Sequence, residues 1–188
     1  MKIYLVTTNK YKIATARKNL AGSDISVQAV KMETPEIQAL TGKDIASFSA
    51  QFAAETLEAP AMCTDAGMYI RALGGFPGPF IKFVNHWLTA KDLVRLMDGK
   101  KNRRIDIVEY LAYCEPGKKP KVFKATAPGT LAKEPSGKSE NPIDELFIPT
   151  GHKQTLATMQ EKAKRAFFAN HLTHWQELAR FIKKHQAT

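Results

Sequence analysis

The chain has 188 residues, of which 44% are hydrophobic, and its 28 basic and 18 acidic residues give a formal charge of +10. No apolar run is long enough to cross a bilayer, the start of the chain favours a strand over a signal peptide, and two cysteines do not make a disulfide framework, so we expect a cytoplasmic protein with reduced thiols. The positive charge attracts polyanions such as nucleic acid or a nucleoside triphosphate, but the basic residues occur in short scattered groups, which favours solvated loops and makes nucleic-acid binding the weaker interpretation.

The first predicted elements are a strand over residues 2–7 and a helix over residues 10–20. Free backbone N–H groups and the positive end of the helix dipole favour an anion at the turn that joins them. Thr8 and Asn9 lie in this turn and Lys12 lies in the first helical turn, so all three could contact a phosphate. The same residues also fit an ordinary N-cap beside a solvent-exposed lysine, which local sequence alone favours.

The next segments are a predicted strand over residues 26–31 and an irregular stretch over residues 33–38, in which Glu36 has the character of a surface residue. Thr41 and Asp44 stand three residues apart before an apolar pattern with helical spacing, in a capping-box-like arrangement. We therefore expect a helix that begins after Thr41 and ends near Pro60.

The central stretch begins with the small apolar residues 61–63, which predict a buried strand. Asp65 follows where this strand is expected to end, and Gly67 would let the backbone turn into a short second strand. Residues 74–79 are rich in glycine and proline and predict a rigid loop. A carboxylate, a turn and a shaped loop suggest a site, while Asp and Gly are also common in ordinary turns, and the local sequence fits both interpretations equally.

The rest of the chain alternates between short helices and strands. An aromatic set that includes Phe83 and Trp87 predicts a short helix; it could stack on a nucleobase, but its helical spacing is more typical of a core. Residues 90–97 predict a further helix, residues 105–114 and 119–125 a hairpin, residues 127–134 another strand and residues 144–149 a short one. Asp106 and Glu109 stand three apart in a strand and face opposite sides, so they are not a catalytic pair.

Several motifs resemble the inosine/xanthosine triphosphate pyrophosphatase (Ham1-like) family. Residues 65–68 and 72–82 are similar to the acid-bearing strand of that family and to the A-L-x-G-x-P-G loop that follows it. Thr7, Asn9 and Lys12 match its [ST]-x-N-x-x-K motif, and residues 144–159 match most of its F-G-[YW]-D-P-x-F-x-P-x-G-x-x-x-T-x-A-E-M segment. The resemblance extends from Thr7 to Phe181.

The resemblance implies an α/β fold with a long, twisted, mixed sheet flanked by helices, a single domain over residues 1–188 formed by two lobes that share the sheet, and a central cleft. It further implies hydrolysis of a nucleoside triphosphate to the monophosphate and pyrophosphate, with Mg²⁺ as the cofactor, Mn²⁺ as the alternative, and a homodimer. Asp65 would be catalytic and, together with Glu36, would bind the metal. The residues implied in substrate binding are Thr7, Thr8, Asn9, Lys12, Asp144 and Lys164.

The chain departs from the family pattern in four places. Thr64 stands where the family has a second acid, and Ser49 stands where it has a lysine. Asn141-Pro142 replaces its aromatic–glycine pair, and residues 168–170 replace the S-H-R motif whose His and Arg contact the base, with His171 and His174 out of register. These changes predict an altered base preference, and they leave open a catalytically weak or inactive nucleotide-binding relative.

Overall fold

The computed structural model describes residues 1–186, and it shows an α/β fold with a mixed seven-stranded sheet flanked by helices, as the sequence predicts. The path through the sheet is β2-β1-β3-β5-β6-β7, and β4 pairs with β3 off this path. β1 runs parallel to β2 and β3, whereas the β3–β4 and β6–β7 pairs are antiparallel. The strands are β1 (Lys2–Val6), β2 (Ser26–Val30), β3 (Ala61–Ile70), β4 (Pro77–Gly78), β5 (Arg104–Cys114), β6 (Lys121–Leu131) and β7 (Phe147–Pro149).

Six α-helices and two 3-10 turns connect these strands over residues 1–186. The helices are α1 (Lys10–Leu20), α2 (Gly42–Leu57), α3 (Ile81–Trp87), α4 (Ala90–Arg95), α5 (Glu161–His171) and α6 (His174–Gln186), and the 3-10 turns are Arg71–Leu73 and Pro142–Glu145. Among the described residues, none of these helices has both the length and the apolar character that a membrane crossing requires.

The chain divides into two compact units. The first unit contains residues 1–65, residues 109–125 and the chain from Thr173 onward. One of its two apolar clusters places Ile3 and Leu5 of β1 with Trp175 and Leu178 of α6, all nearly inaccessible to solvent. The second cluster is built from small side chains, since the alanines on the buried face of α2 pack with Cys63 and three other residues of β3 and β5. Such small side chains let a helix backbone lie close to the strands it covers.

The second unit contains residues 66–108 and 126–172. Its core joins Leu93 and Met97, from α4 and the turn after it, to Ile105, Phe147 and Phe167. An ion pair lies beside this core, in which Nη2 of the half-exposed Arg71 donates to Oδ2 of the buried Asp106 at 2.6 Å. Asp106 is therefore a structural residue, in agreement with the prediction that it is not half of a catalytic pair.

The central stretch differs from the prediction in one respect. β3 does not end at Asp65 but continues to Ile70, and Gly67 lies inside the strand, not in a turn. The reason is the close approach of β4, since a Cβ atom built on Gly67 would lie 2.6 Å from the carbonyl oxygen of Gly78. Glycine is needed here so that two backbones can meet, and Asp65 consequently projects from the middle of a ten-residue strand.

Three smaller predictions are also corrected. Residues 121–131 form one continuous strand where the sequence predicted two, and Pro128 and Gly129 lie inside it. Asp144 lies in a 3-10 turn that begins at Pro142, not in a strand, and the strand proper begins at Phe147. The prediction that the aromatic residues of α3 belong to a core is wrong for Phe83 and Trp87, which are exposed.

Candidate active site

The turn between β1 and α1 is organised by its own side chains. Asn9 is the N-cap of α1, and its Oδ1 accepts hydrogen bonds from the backbone N–H groups of Tyr11, at 2.9 Å, and Lys12, at 3.3 Å. Thr7 Oγ1 accepts a hydrogen bond from the backbone N–H of Asn9 at 3.1 Å, and Thr8 between them is exposed. The side chains of Thr7 and Asn9 therefore fix the shape of this loop, in agreement with the N-cap interpretation.

Lys12 extends from α1 to β3. Its ammonium donates a hydrogen bond to the backbone carbonyl oxygen of Thr64 at 3.0 Å. Burial raises the pKa of both Asp65 and Cys63, and the Lys12 charge lies close enough to offset part of that rise. The structure thus brings Lys12 and Asp65 together, although they are more than fifty positions apart in sequence, and Lys12 is not simply a solvent-exposed lysine.

Asp65 has an unusual environment for a carboxylate. Its side chain is partly buried, and its Oδ2 atom has no hydrogen-bond partner among the described residues. Burial raises the pKa of Asp65 to about 6, and the neighbouring Lys12 charge lowers it only in part. A carboxyl group that titrates near neutral pH and retains a free acceptor oxygen is suited to bind a cation or to accept a proton.

Two neighbours of Asp65 were missed by the sequence interpretation. Gly42, the first residue of α2, lies so close that a Cβ atom there would overlap Asp65 Oδ2 and come within 3.0 Å of the Tyr110 ring. Burial raises the pKa of Tyr110, and the negative charges of Asp44 and Asp65 raise it further. The position of Tyr110 in the middle of β5 gives no signal in the sequence that it lies near Asp65. Gly42 directly follows the N-cap Thr41, and this glycine is a signal that could have been noticed.

Cys63 lies two residues before Asp65 and is a structural thiol. Burial raises the pKa of Cys63 to about 12, and the nearby Lys12 charge offsets only part of this increase. Since the thiolate is the nucleophilic form of cysteine, this residue is not a nucleophile near neutral pH. Both cysteines are free and buried, as the sequence predicts.

The second unit holds the other two predicted substrate-binding residues. Asp144 Oδ2 accepts hydrogen bonds from Ser139 Oγ at 3.0 Å and from Asn141 Nδ2 at 3.4 Å. Burial raises the pKa of Asp144, and these hydrogen bonds, together with the positive charge of Lys164, lower it in part. Lys164 also forms an ion pair with Glu161 at 3.0 Å, so its positive charge acts on two carboxylates.

Glu36 lies in the segment between β2 and α2, which has no regular secondary structure, and its side chain is exposed. Within residues 1–186, no group of three or more His, Cys, Asp or Glu side chains is arranged to hold a metal ion. A metal site in this chain would therefore rely on one or two carboxylates, and the pairing of Glu36 with Asp65 stays a prediction.

The two histidines near the end of the chain are both used internally. His171 Nδ1 lies 2.8 Å from the carbonyl oxygen of Phe167, one turn earlier in α5. His174 begins α6 and is fully buried, with its Nε2 atom 3.3 Å from Glu109 Oε2. These contacts place both histidines within the helical framework of the chain.

Comparisons with known proteins show which family the chain resembles over most of its length. The model of the Ham1 family matches residues 3–172. The "dITP/XTP pyrophosphatase" of Methanopyrus kandleri is 35% identical over 166 residues, which cover 87% of this chain and 88% of that protein. The protein of the same name from Thermococcus kodakarensis is 30% identical over 188 residues, which cover 98% of each chain.

Solved structures confirm the fold. The structure of a HAM1 protein from Coxiella burnetii superposes with a TM-score of 0.81 at 21% identity, covering 98% of this chain and 99% of the other. The Ham1 protein of Staphylococcus aureus gives a TM-score of 0.79 at 20% identity, with 98% and 100% coverage. The family match, the archaeal relatives and the fold all agree with the motifs in the sequence, and the chain belongs to the Ham1 family.

Proposed function

We propose that this chain is a metal-dependent nucleoside triphosphate pyrophosphatase that releases a nucleoside monophosphate and pyrophosphate. The observation that carries the proposal is the Asp65 carboxyl group, which is partly buried, lies near the Lys12 ammonium and keeps one oxygen without a partner among the described residues. The names of the archaeal relatives, which the chain matches over most of its length, support the same activity.

The reaction requires a water molecule to attack the α-phosphorus in line with the leaving group. A bond forms between the water oxygen and that phosphorus, and the bond from the phosphorus to the α–β bridging oxygen breaks, so that pyrophosphate departs. Asp65 accepts the water proton, because a carboxyl with a pKa of about 6 is largely ionised at pH 7 and can still hold a proton transiently. Lys12 offsets the negative charge that accumulates on the phosphoryl oxygens.

The remaining predicted residues bind the substrate. Thr7 and Asn9 hold the β1–α1 turn in one shape, so that Thr8 and the start of α1 face an anion without reorganisation. Asp144 and Lys164 form a second polar group, in which Lys164 is the cation available to a phosphate and Asp144 an acceptor for the nucleoside.

The chemistry of Asp65 fits a hard divalent cation. Mg²⁺ and Mn²⁺ take oxygen ligands, and Mg²⁺ is commonly bound by one or two carboxylates together with substrate phosphates, so the unpartnered Oδ2 of Asp65 is a suitable ligand and Glu36 would supply a second. When bound, the ion neutralises phosphoryl charge. Because Thr64 stands in place of a second acid, less negative charge is available to bind the ion. The backbone carbonyl oxygen of Thr64 instead accepts a hydrogen bond from Lys12.

The test is release of pyrophosphate from a panel of nucleoside triphosphates that includes inosine, xanthosine and modified bases. The assay is run with Mg²⁺, with Mn²⁺ and with a chelator, on the unmodified chain, Asp65→Asn and the exposed control Asp98→Asn. We expect metal-dependent release that only Asp65→Asn abolishes. Release that survives Asp65→Asn would refute the catalytic role of Asp65.

A second candidate is a catalytically inactive relative that binds nucleotides. It is favoured by Thr64 and Ser49, which stand where the family has an acid and a lysine. Binding of triphosphates without any release of pyrophosphate would establish it and contradict the first proposal. The altered base preference, the homodimer and the cytoplasmic location stay predictions.

A further inference from the structure

Helix α3 carries an exposed aromatic pair. Phe83 and Trp87 stand four residues apart, and their rings stack with centroids 5.5 Å apart and planes inclined by 23°. The exposed fractions are 41% for Phe83 and 71% for Trp87, whereas Val84 of the same helix is buried. The core of the second unit therefore needs Val84 but makes little use of the two rings.

The aromatic pair borders a surface depression of about 550 Å³. This volume is within the range of small-molecule sites, which combine aromatic walls with a few polar groups. Its polar lining consists of Lys82, Asn85 and His86 of the same helix, with Glu140 and Asn141 just before the 3-10 turn that holds Asp144. The depression thus offers flat ring surface together with groups that can both donate and accept hydrogen bonds.

A chain of hydrogen bonds within the second unit links this depression to Asp144. Asn85 Nδ2 donates to Asn141 Oδ1 at 3.3 Å, and Asn141 Nδ2 donates to Asp144 Oδ2 at 3.4 Å. Lys164 acts on the same carboxylate through its charge. The aromatic pair is therefore continuous with two residues assigned to the substrate, which argues against a docking surface unrelated to the reaction.

We propose that Phe83 and Trp87 stack on the nucleobase of the substrate, beside the hydrogen-bonded amides of Asn85 and Asn141. The inference rests on the proposed function, because that reaction brings a planar base to the protein. Aromatic side chains bind bases through ring stacking, which does not require one particular base.

The chain also explains why such a pair is needed. Asn141-Pro142 occupies the place where the family motif has an aromatic residue and a glycine, so this segment lacks the aromatic side chain. Asn141 lies at the depression bordered by Phe83 and Trp87, and the two rings restore an aromatic surface beside it. The change at Asn141 and the exposure of Trp87 are two independent observations that one ligand explains.

The first experiment measures binding without turnover. The protein has two tryptophans, Trp87 exposed and Trp175 2% exposed, so Trp175→Phe leaves fluorescence that reports on α3 alone. With a chelator present, we expect inosine triphosphate and inosine monophosphate to quench this fluorescence saturably, and inorganic tripolyphosphate to leave it unchanged. If tripolyphosphate quenched the fluorescence as strongly as the nucleotides do, the proposal would be overturned, because the quenching would not depend on a nucleobase.

The second experiment measures turnover. We expect Trp87→Ala to raise KM for purine nucleoside triphosphates roughly tenfold, in line with the loss of one stacked ring, to leave kcat within about twofold, and not to alter inhibition by tripolyphosphate. Phe48→Ala removes a ring from another exposed, stacked pair, Phe48–Phe52, and is the matched control, with an unchanged KM.

Three results separate the alternatives. An unchanged KM in an active Trp87→Ala variant would refute the stacking role while the proposed function stands. Absence of turnover in the unmodified chain, together with base-dependent quenching, would refute the proposed function and support the base site. If Trp87→Ala dissociates a dimer in sedimentation while nucleotide quenching is absent from the Trp175→Phe chain, the face is an interface between copies and the proposal is wrong.

Discussion

The buried carboxylate predicts a trade between stability and activity at Asp65. Its pKa rises from 3.8 to about 6 on folding, chiefly through burial, so ionising this group costs more in the folded chain than in the unfolded chain. About two pKa units at 1.36 kcal/mol each give ~3 kcal/mol as an upper limit. Because the side chain is partly exposed to solvent, we reduce this to roughly 1–2 kcal/mol.

The sign of the pH dependence follows from proton binding. Between pH 3.8 and about 6 the folded chain binds the Asp65 proton more tightly than the unfolded chain does, so the contribution of Asp65 to stability falls as the pH rises through this window. Asn at position 65 cannot ionise. We therefore expect Asp65→Asn to be more stable than the unmodified chain above about pH 6, and the difference to vanish toward pH 4.

The assay is thermal unfolding at pH 4.5 and pH 8, with Asp98→Asn as the exposed control. At 2–4 °C per kcal/mol for a chain of this size, the expected rise in Tm at pH 8 is roughly 2–8 °C, accompanied by loss of pyrophosphate release. If Asp65→Asn were equally destabilised at both pH values, the reasoning would be refuted, because the ionised Asp65 carboxylate would then stabilise the folded chain instead of destabilising it.

Four further outcomes test the neighbourhood of this site. Gly42→Ala should displace the Asp65 carboxylate and lower kcat about tenfold or more while Tm changes little, because the overlap is with a side-chain end. Lys12→Met should move the acidic limb of the pH–rate profile upward, since the Lys12 charge lowers the pKa of Asp65. Gly67→Ala should destabilise the fold by roughly 2 kcal/mol or more in chemical denaturation, because the new methyl meets the Gly78 backbone. Mg²⁺ should raise Tm of the unmodified chain, and Asp65→Asn should lose that shift.

The individual strands and helices were largely predictable because their signals are local, whereas the fold class followed from the resemblance to a known family. The strand over residues 2–6, the Asn9 and Thr41 caps and the helices that follow them all depend on neighbours within a few positions in sequence. The continuation of β3 through Gly67 was not predictable in the same way. A glycine in a strand can permit either a turn or a close approach, and only the partner strand that contains Gly78 decides between them.

The candidate site was predictable only in part, because some of its contacts join residues that are distant in sequence. Motif spacing identified Lys12 and Asp65, but the hydrogen bond from Lys12 to Thr64 joins residues 52 positions apart and follows only from the parallel pairing of β1 with β3. Gly42 and Tyr110 were missed because their roles depend on packing against Asp65, which no local pattern encodes.

The exposure of Trp87 illustrates a further limit of sequence periodicity. The spacing of Phe83, Val84 and Trp87 is compatible with a buried helical face, but a helix of seven residues presents only one narrow stripe to a core. Val84 occupies that stripe, so the two rings are left at the surface, where burial of apolar area cannot explain them. Large exposed rings beside hydrogen-bonded amides gain free energy when a flat ligand covers them, which is the physical basis for assigning this surface to a base.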